Sequence, residues 1–273
     1  MIATSLFSQP WAITRSHFDA MCSAVSDILA ADPKAFFLDG MEAPSNDGPG
    51  YSVDAGGIAT VPIQGVLMQS PDLFEQIFFG AVDMLQVGSS VRAAAQDDSV
   101  RGIILNIDSP GGTVMGTPEL ADSVRGATTQ KPVFAFTHGL MASAAYWVGS
   151  QADAVYSTPS ARVGSIGVIM QIPNRVEQLR KAGVKVETFA AGKYKGAGSP
   201  VMELSDEHRA MFTNDVQNIH EEFKAAVNSR RSVAEADMEG QDFPGKLAAE
   251  KRLVSGIVPG IEAVHARMAN RLP

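Results

Sequence analysis

A chain of 273 residues, 45% of them hydrophobic and 19% charged, can bury a full core and has the composition of a folded globular protein. Its 22 basic and 30 acidic side chains leave a net charge of −8 with no basic block, which argues against a nucleic-acid surface. The single cysteine, Cys22, excludes an internal disulfide and fits a reducing compartment.

No apolar run nears the ~18 residues a membrane helix requires. The amino terminus has no basic start, its first charged side chain being Arg15, so neither a signal peptide nor a membrane anchor is expected and the chain is assigned to the cytoplasm. In chain order, Phe18, Met21, Val25 and Leu29 recur at helical spacing, and a turn-rich tract follows from Gly40 to Gly57. Residues 1–57 therefore read as an amino-terminal appendage and linker, and 58–273 as the compact domain.

From Ile58 strands and helices alternate. The spacing predicts a strand over 58–68 with a turn at Gly65, a helix over 81–96 and a buried strand over 102–107. A helix over 113–126 and a strand over 133–136 follow, then a short helix opening at Ser143. Strands near 154–157 and 165–170, a helix over 173–182 and a strand over 184–189 complete the alternation. Such a pattern implies an α/β fold with a largely parallel sheet and flanking helices. The clearest helix is 206–230, with Ser205 as N-cap, Asp206 and Glu207 in its first turn, and a stripe of Phe212, Val216, Ile219, Phe223 and Val227. One or two further helices are expected around Pro244 and Gly256.

Candidate chemistry starts at Ser143, in the run Ala142-Ser143-Ala144-Ala145 after the polar corner Thr137-His138-Gly139. A serine there either caps the helix or serves as a nucleophile among small neighbours that let a substrate backbone approach. Ser109-Pro110-Gly111-Gly112 ends the preceding buried strand, where α/β sheets bind ligands, and its glycines could free N–H groups for an oxyanion or merely make a turn. A serine needs a base. His138 is on the wrong side of the corner, His17 is in the appendage, and His208, His220 and His265 lie in late helices, where solvated histidines are usual. A Ser-His-Asp arrangement is thus disfavoured, and a serine–lysine pair is the alternative. The glycine-rich loop Gly192-Lys193-Tyr194-Lys195-Gly196-Ala197-Gly198 offers two lysines, and chemistry does not choose between them. Either would need burial to become neutral. Ser165, between Gly164 and Gly167, could hold such an amine or be a turn serine.

Together, SPGG at 109–112, MASAAY at 141–146, VGSIGV at 163–168 and GKYKGAGSP at 192–200 resemble the signal peptide peptidase A family of serine-lysine peptidases. The resemblance spans roughly 58–258 and implies a ClpP/crotonase-type spiral of ββα units. It makes Ser143 the nucleophile, Lys195 the base and Ser165 the hydroxyl that positions the lysine. The oxyanion donors would be the N–H groups of Gly112 and Ala144, with Gly111 the less favoured. Substrate would run as an extended strand beside Thr113, Val114 and Met115. The implied activity is a serine endopeptidase without cofactor or metal, assembled as a ring or dome in which serine and lysine can come from neighbouring copies. The PWAI run is similar to the tailed-phage head maturation branch, whose substrates are capsid or scaffold proteins, although no scaffold extension follows Pro273. The alternatives are a signal-peptide-degrading peptidase of bacterial type, an acyl-CoA hydratase or isomerase on the same fold, and a non-catalytic assembly protein.

Overall fold

A computed structural model describes residues 9–30 and 49–272. The described residues comprise first β1 (Trp11–Ile13) and α1 (Arg15–Ala30), and from residue 49 on β2 (Ser52–Val53), β3 (Ile58–Gln64), β4 (Val66–Met68), α2 (Leu73–Phe79), β5 (Ala81–Asp83) and α3 (Met84–Gln96). It continues with β6 (Gly102–Asp108), β7 (Gly111–Thr113), α4 (Thr117–Thr128), β8 (Val133–Thr137), β9 (Leu140–Ala142), α5 (Ala144–Gly149), β10 (Ala154–Ser157) and β11 (Arg162–Gly164). The last third holds α6 (Val176–Lys181), α7 (Asp206–Asn228), β12 (Asp242–Pro244), α8 (Gly245–Glu250), β13 (Gly256–Ile257) and α9 (Ile261–Ala269).

The strands come in pairs, each pair split between sheets. The first members, β3, β6, β8 and β10, lie side by side in a six-stranded sheet of order β13-β10-β8-β6-β3-β2, parallel except at β2. The second members turn away into two small sheets, β1-β7-β4-β5 and β12-β11-β9. With α4 after β7 and α5 after β9, this is the expected succession of ββα units and the expected mixed α/β architecture with largely parallel strands.

The parallel register brings the chemistry together. β6 and β8 run as neighbours, Ile103 opposite Val133 and Asn106 opposite Phe136, so their carboxyl ends leave the sheet on one side. The SPGG turn and the corner before Ser143, 31 residues apart in sequence from Gly112, meet there (143 − 112 = 31). Asp108, closing β6, accepts from Leu140 N–H at 3.0 Å, and Ser109 pairs with Met141. Beneath them Trp147 of α5 stacks on Phe223 of α7, centroids 4.5 Å apart and planes 12° from parallel. Tyr146 donates its hydroxyl to Leu253 O at 2.8 Å, and burial pushes that phenol well above the ordinary tyrosine range, keeping it a neutral donor.

Gly65 does turn the 58–68 segment, and the α7 cap is as predicted, Ser205 accepting from His208 N–H at 3.2 Å. Several expectations need correction. Residues 184–189 form no strand: they lie exposed, Phe189 at 91%, and Lys185 bonds Glu187 on the same side. The free edge beside β10 is taken by β13 instead. The strand expected over 165–170 is shifted to 162–164, because the antiparallel partner β12 and the parallel partner β9 lie alongside there, and within 165–170 only Ile169 is bridged, to Trp11. Helix 113–126 starts late, at Thr117, since 111–113 pair as β7. The α7 stripe is buried only at Phe223 and Val227; Phe212, Val216 and Ile219 stay half-buried. Most of the turn-rich tract, 40–48, lies outside the described residues. The stretch expected as an appendage contributes β1 and α1 to the body of the fold, where Trp11, Ile13, Phe18, Met21 and Val25 pack with Val66 and Met68.

Candidate active site

Ser143 stands between β9 and α5 with φ 54° and ψ −122°, a conformation that costs an L-residue about 1–3 kcal/mol. It is held there by its own N–H, which donates to Gly164 O at 2.8 Å, and by its carbonyl, which accepts from Trp147 N–H at 2.8 Å. The strain is absorbed by a corner in which every residue from Met141 to Ala152 is buried. Ser143 itself is fully buried, and its hydroxyl donates to Gly167 O at 3.3 Å. That is an acceptor carbonyl, not a base.

Next to it runs the diglycine. Gly111 has φ 104°, and a methyl on it would lie 2.9 Å from Ser143 Cβ and 2.2 Å from Ala12 O. A methyl on Gly112 would meet Leu67 O at 1.7 Å. Only glycine lets β7 come this close to Ala12 and Ser143 at position 111 and to Leu67 at position 112. Gly111 N–H donates to Ser109 Oγ at 3.2 Å and is thereby engaged. Ala144 opens the first turn of α5, where helix amides have no intrahelical acceptor.

Ser165, φ 53° and 7% exposed, follows Gly164 and donates its N–H to Gln241 O at 2.8 Å. With Gly167, His220 and Glu239 it lines a cavity of about 300 Å³. Gly167 is the residue that accepts from Ser143, so the cavity lies one carbonyl from the candidate nucleophile.

The lysines are elsewhere. Lys195 is exposed in the turn 193–198, with a backbone bond to Gly192 O and no side-chain partner among the described residues. No hydrogen bond of this chain joins it to Ser143. Lys193 pairs with Glu207 at 2.9 Å. That hydrogen bond and the carboxylate's charge hold its ammonium above the ordinary lysine range, the reverse of what a neutral base requires. The structure thus gathers Ser143, Ser165, Gly111, Gly112 and Ala144, and leaves Lys195 outside. His138 is exposed and stacks on Phe136. Among the described residues no cluster of histidine, cysteine, aspartate and glutamate could hold a metal, and no helix is long and apolar enough to cross a membrane.

Two features escaped the sequence. His220 is not a solvated histidine: its Nε2 donates to Met238 O at 2.6 Å and Ile166 O at 3.2 Å beside Ser165. The available signal in the sequence was its neighbour Ile219 on the apolar stripe of α7. The second feature is β1, which lies antiparallel along β7, Trp11 opposite Thr113, Ala12 opposite Gly112 and Ile13 opposite Gly111. Thr113 and Val114, expected to receive a substrate strand, are thus already paired, Val114 N–H donating to Pro10 O at 3.2 Å. Met115 remains 63% exposed.

The pattern of Peptidase family S49 matches residues 126–271, a stretch holding Ser143, Ser165 and Lys195. Capsid assembly protease C of Escherichia phage lambda is 29% identical over 226 residues, 80% of this chain and 51% of that protein. Head-tail preconnector protein GP5 of Enterobacteria phage P21 is 29% identical over 211 residues, 76% of this chain and 42% of that protein. The chain spans about half the length of these relatives or less. Among solved structures, an enoyl-CoA hydratase/isomerase family member superposes with a TM-score of 0.43 at 15% identity, covering 81% of this chain and 74% of that one.

Proposed function

The chain belongs to Peptidase family S49, and from that premise we propose that it is a serine endopeptidase whose nucleophile is Ser143 and whose base is Lys195 supplied by a second copy. One observation carries the reading: a buried, strained serine with its supporting backbone in place and, among the described residues, no basic side chain hydrogen-bonded to its hydroxyl. The cavity at Ser165 gives an incoming amine a port beside the hydroxyl, and burial on assembly would supply the desolvation that makes a lysine neutral. The fifteen consecutive exposed residues 181–195, carrying Val184, Val186 and Phe189, are the surface such a docking would cover.

The chemistry follows from this arrangement. Neutral Lys195 takes the Ser143 proton as Oγ attacks the peptide carbonyl, and the resulting oxyanion accepts from Gly112 and Ala144 N–H. The lysine then returns the proton to the leaving amine, and water, activated by the same amine, hydrolyses the acyl-enzyme. Ser165 orients the amine. Similarity to the lambda protease over four-fifths of this chain favours capsid or scaffold proteins as substrates.

Ser143→Ala and Lys195→Ala, made separately, should each lower hydrolysis of a capsid or scaffold protein by roughly a thousandfold or more. Mixed together, the two inactive proteins should regain activity, because a copy with its serine can meet a copy with its lysine. Activity surviving in either variant would remove that residue from the reaction. Failure of the mixture to recover, with both variants assembled, would place the pair within one chain.

A further inference from the structure

We infer that β1 occupies the peptide-binding channel in the manner of a bound substrate, so that a peptide must displace residues 10–14, and that the channel takes a residue of alanine size beside Ser143. The inference deepens the peptidase reading and rests on Ser143 being the nucleophile. β7 has two edges. One is closed by β4, Leu67 opposite Gly112, so an added strand can approach only along the other, where β1 lies.

The hydrogen-bond pattern is that of a clasped peptide. Thr14 N–H donates to Pro110 O at 3.0 Å and Val114 N–H to Pro10 O at 3.2 Å. Antiparallel bonds recur every second residue, so between these two the directly opposed pair Ala12 and Gly112 exchanges both bonds, and Gly112 N–H faces the Ala12 carbonyl. On its far edge β1 is gripped again: Trp11 N–H donates to Ile169 O at 2.9 Å and Ile169 N–H to Trp11 O at 2.8 Å. The Ala12 carbonyl therefore sits against a proposed oxyanion donor, and its oxygen lies 2.2 Å from where a Gly111 methyl would be, itself 2.9 Å from Ser143 Cβ. Pro10, Trp11 and Ala12 take the acyl side of such a site, Ile13 and Thr14 the leaving side.

Side-chain alternation adds specificity. Ala12 points into the main core and is fully buried, while Trp11 and Ile13 point the other way, under α1. The inward position is closed around a methyl group. The outward ones are covered by a satellite cluster with Phe18, Met21 and Val25, so lifting β1 and α1 frees that cluster and withdraws from the main core only the methyl of Ala12.

The test uses the full chain carrying Ser143→Ala, which abolishes turnover and leaves binding. Trp11→Ala and, in case that variant fails to fold, Phe18→Ala loosen β1. A fluorescein-labelled peptide of the sequence Gln9–Thr14 should bind each loosened chain at least tenfold more tightly than the chain with native β1, by fluorescence anisotropy. The same peptide with arginine in place of its alanine should bind at least tenfold more weakly. Amide exchange at Val114 and Ile169 should quicken at least tenfold on loosening and slow again when peptide is added. Equal affinity with β1 native or loosened, or equal binding of the arginine peptide, overturns the inference. Because the readout is binding, a wild-type chain that never hydrolyses peptides would sink the role of Ser143 without altering these results.

Discussion

The corner at Ser143 and the loop at Lys195 are opposites in how much of their environment their own chain provides. From Met141 to Ala152 every residue is buried, the backbone is strained at the serine, and each strained group is bonded. From Lys181 to Lys195 every residue is exposed, and Phe189 stands almost wholly in water. A positive-φ serine persists only where packing overdetermines it, so the nucleophile's half of the site has to be built in. A lysine base needs only to be dry when it acts, and dryness can be delivered by association. A site split in the proposed way would tie activity to assembly.

That contrast can be broken at its strong side. Trp147→Ala empties the stack on Phe223 beneath the corner and should cost about 3–5 kcal/mol in urea unfolding, with peptide hydrolysis lost as Ser143 relaxes. A wild-type midpoint would mean that the corner is not held from below. Gly112→Ala sets a methyl 1.7 Å from Leu67 O, where only backbone can yield; we expect about 3 kcal/mol or more of destabilisation.

Ser165→Gly sharpens it. Relief of the positive φ offsets the chain entropy that glycine adds, so thermal unfolding should move by less than about 1 kcal/mol. Hydrolysis should still fall tenfold or more, a split expected of a hydroxyl that positions a base and not of a turn residue. The smallest effect belongs to Lys193→Ala. The folded-state pKa of Lys193 is raised by Glu207, so any stability it contributes is present below the unfolded pKa and is lost as pH climbs through the folded one. Both partners are exposed, so calorimetry should find no resolvable change in Tm at neutral pH, and hydrolysis should be unaffected. A large loss of activity would revive Lys193 as the base.

Much of the candidate site is legible in the amino-acid sequence. The serine after small residues, the diglycine at a strand end and the glycine-flanked Ser165 each carry local signatures, because the backbone they need is available to few residue types. Periodicity was equally direct for β6, whose apolar run is buried on both faces, and for α7, whose cap is a local hydrogen bond. It misled at 184–189, where alternation alone could not supply a partner edge, and at His220, whose partners are the carbonyls of Met238, 18 residues later, and of Ile166.

What the chain determines by itself is therefore the covalent inventory and the local geometry: which hydroxyls, glycines and amines exist and which corners they can make. Only the tertiary structure decided that Gly112, Ser143 and Ser165 converge, since parallel strands carry distant turns to one side of a sheet. Only it revealed that Trp11–Ile13 fill the edge of β7 while Lys195 stays in water. Both are questions of which surfaces meet, and strand pairing at an edge is a contest among all segments of the chain that no single segment records.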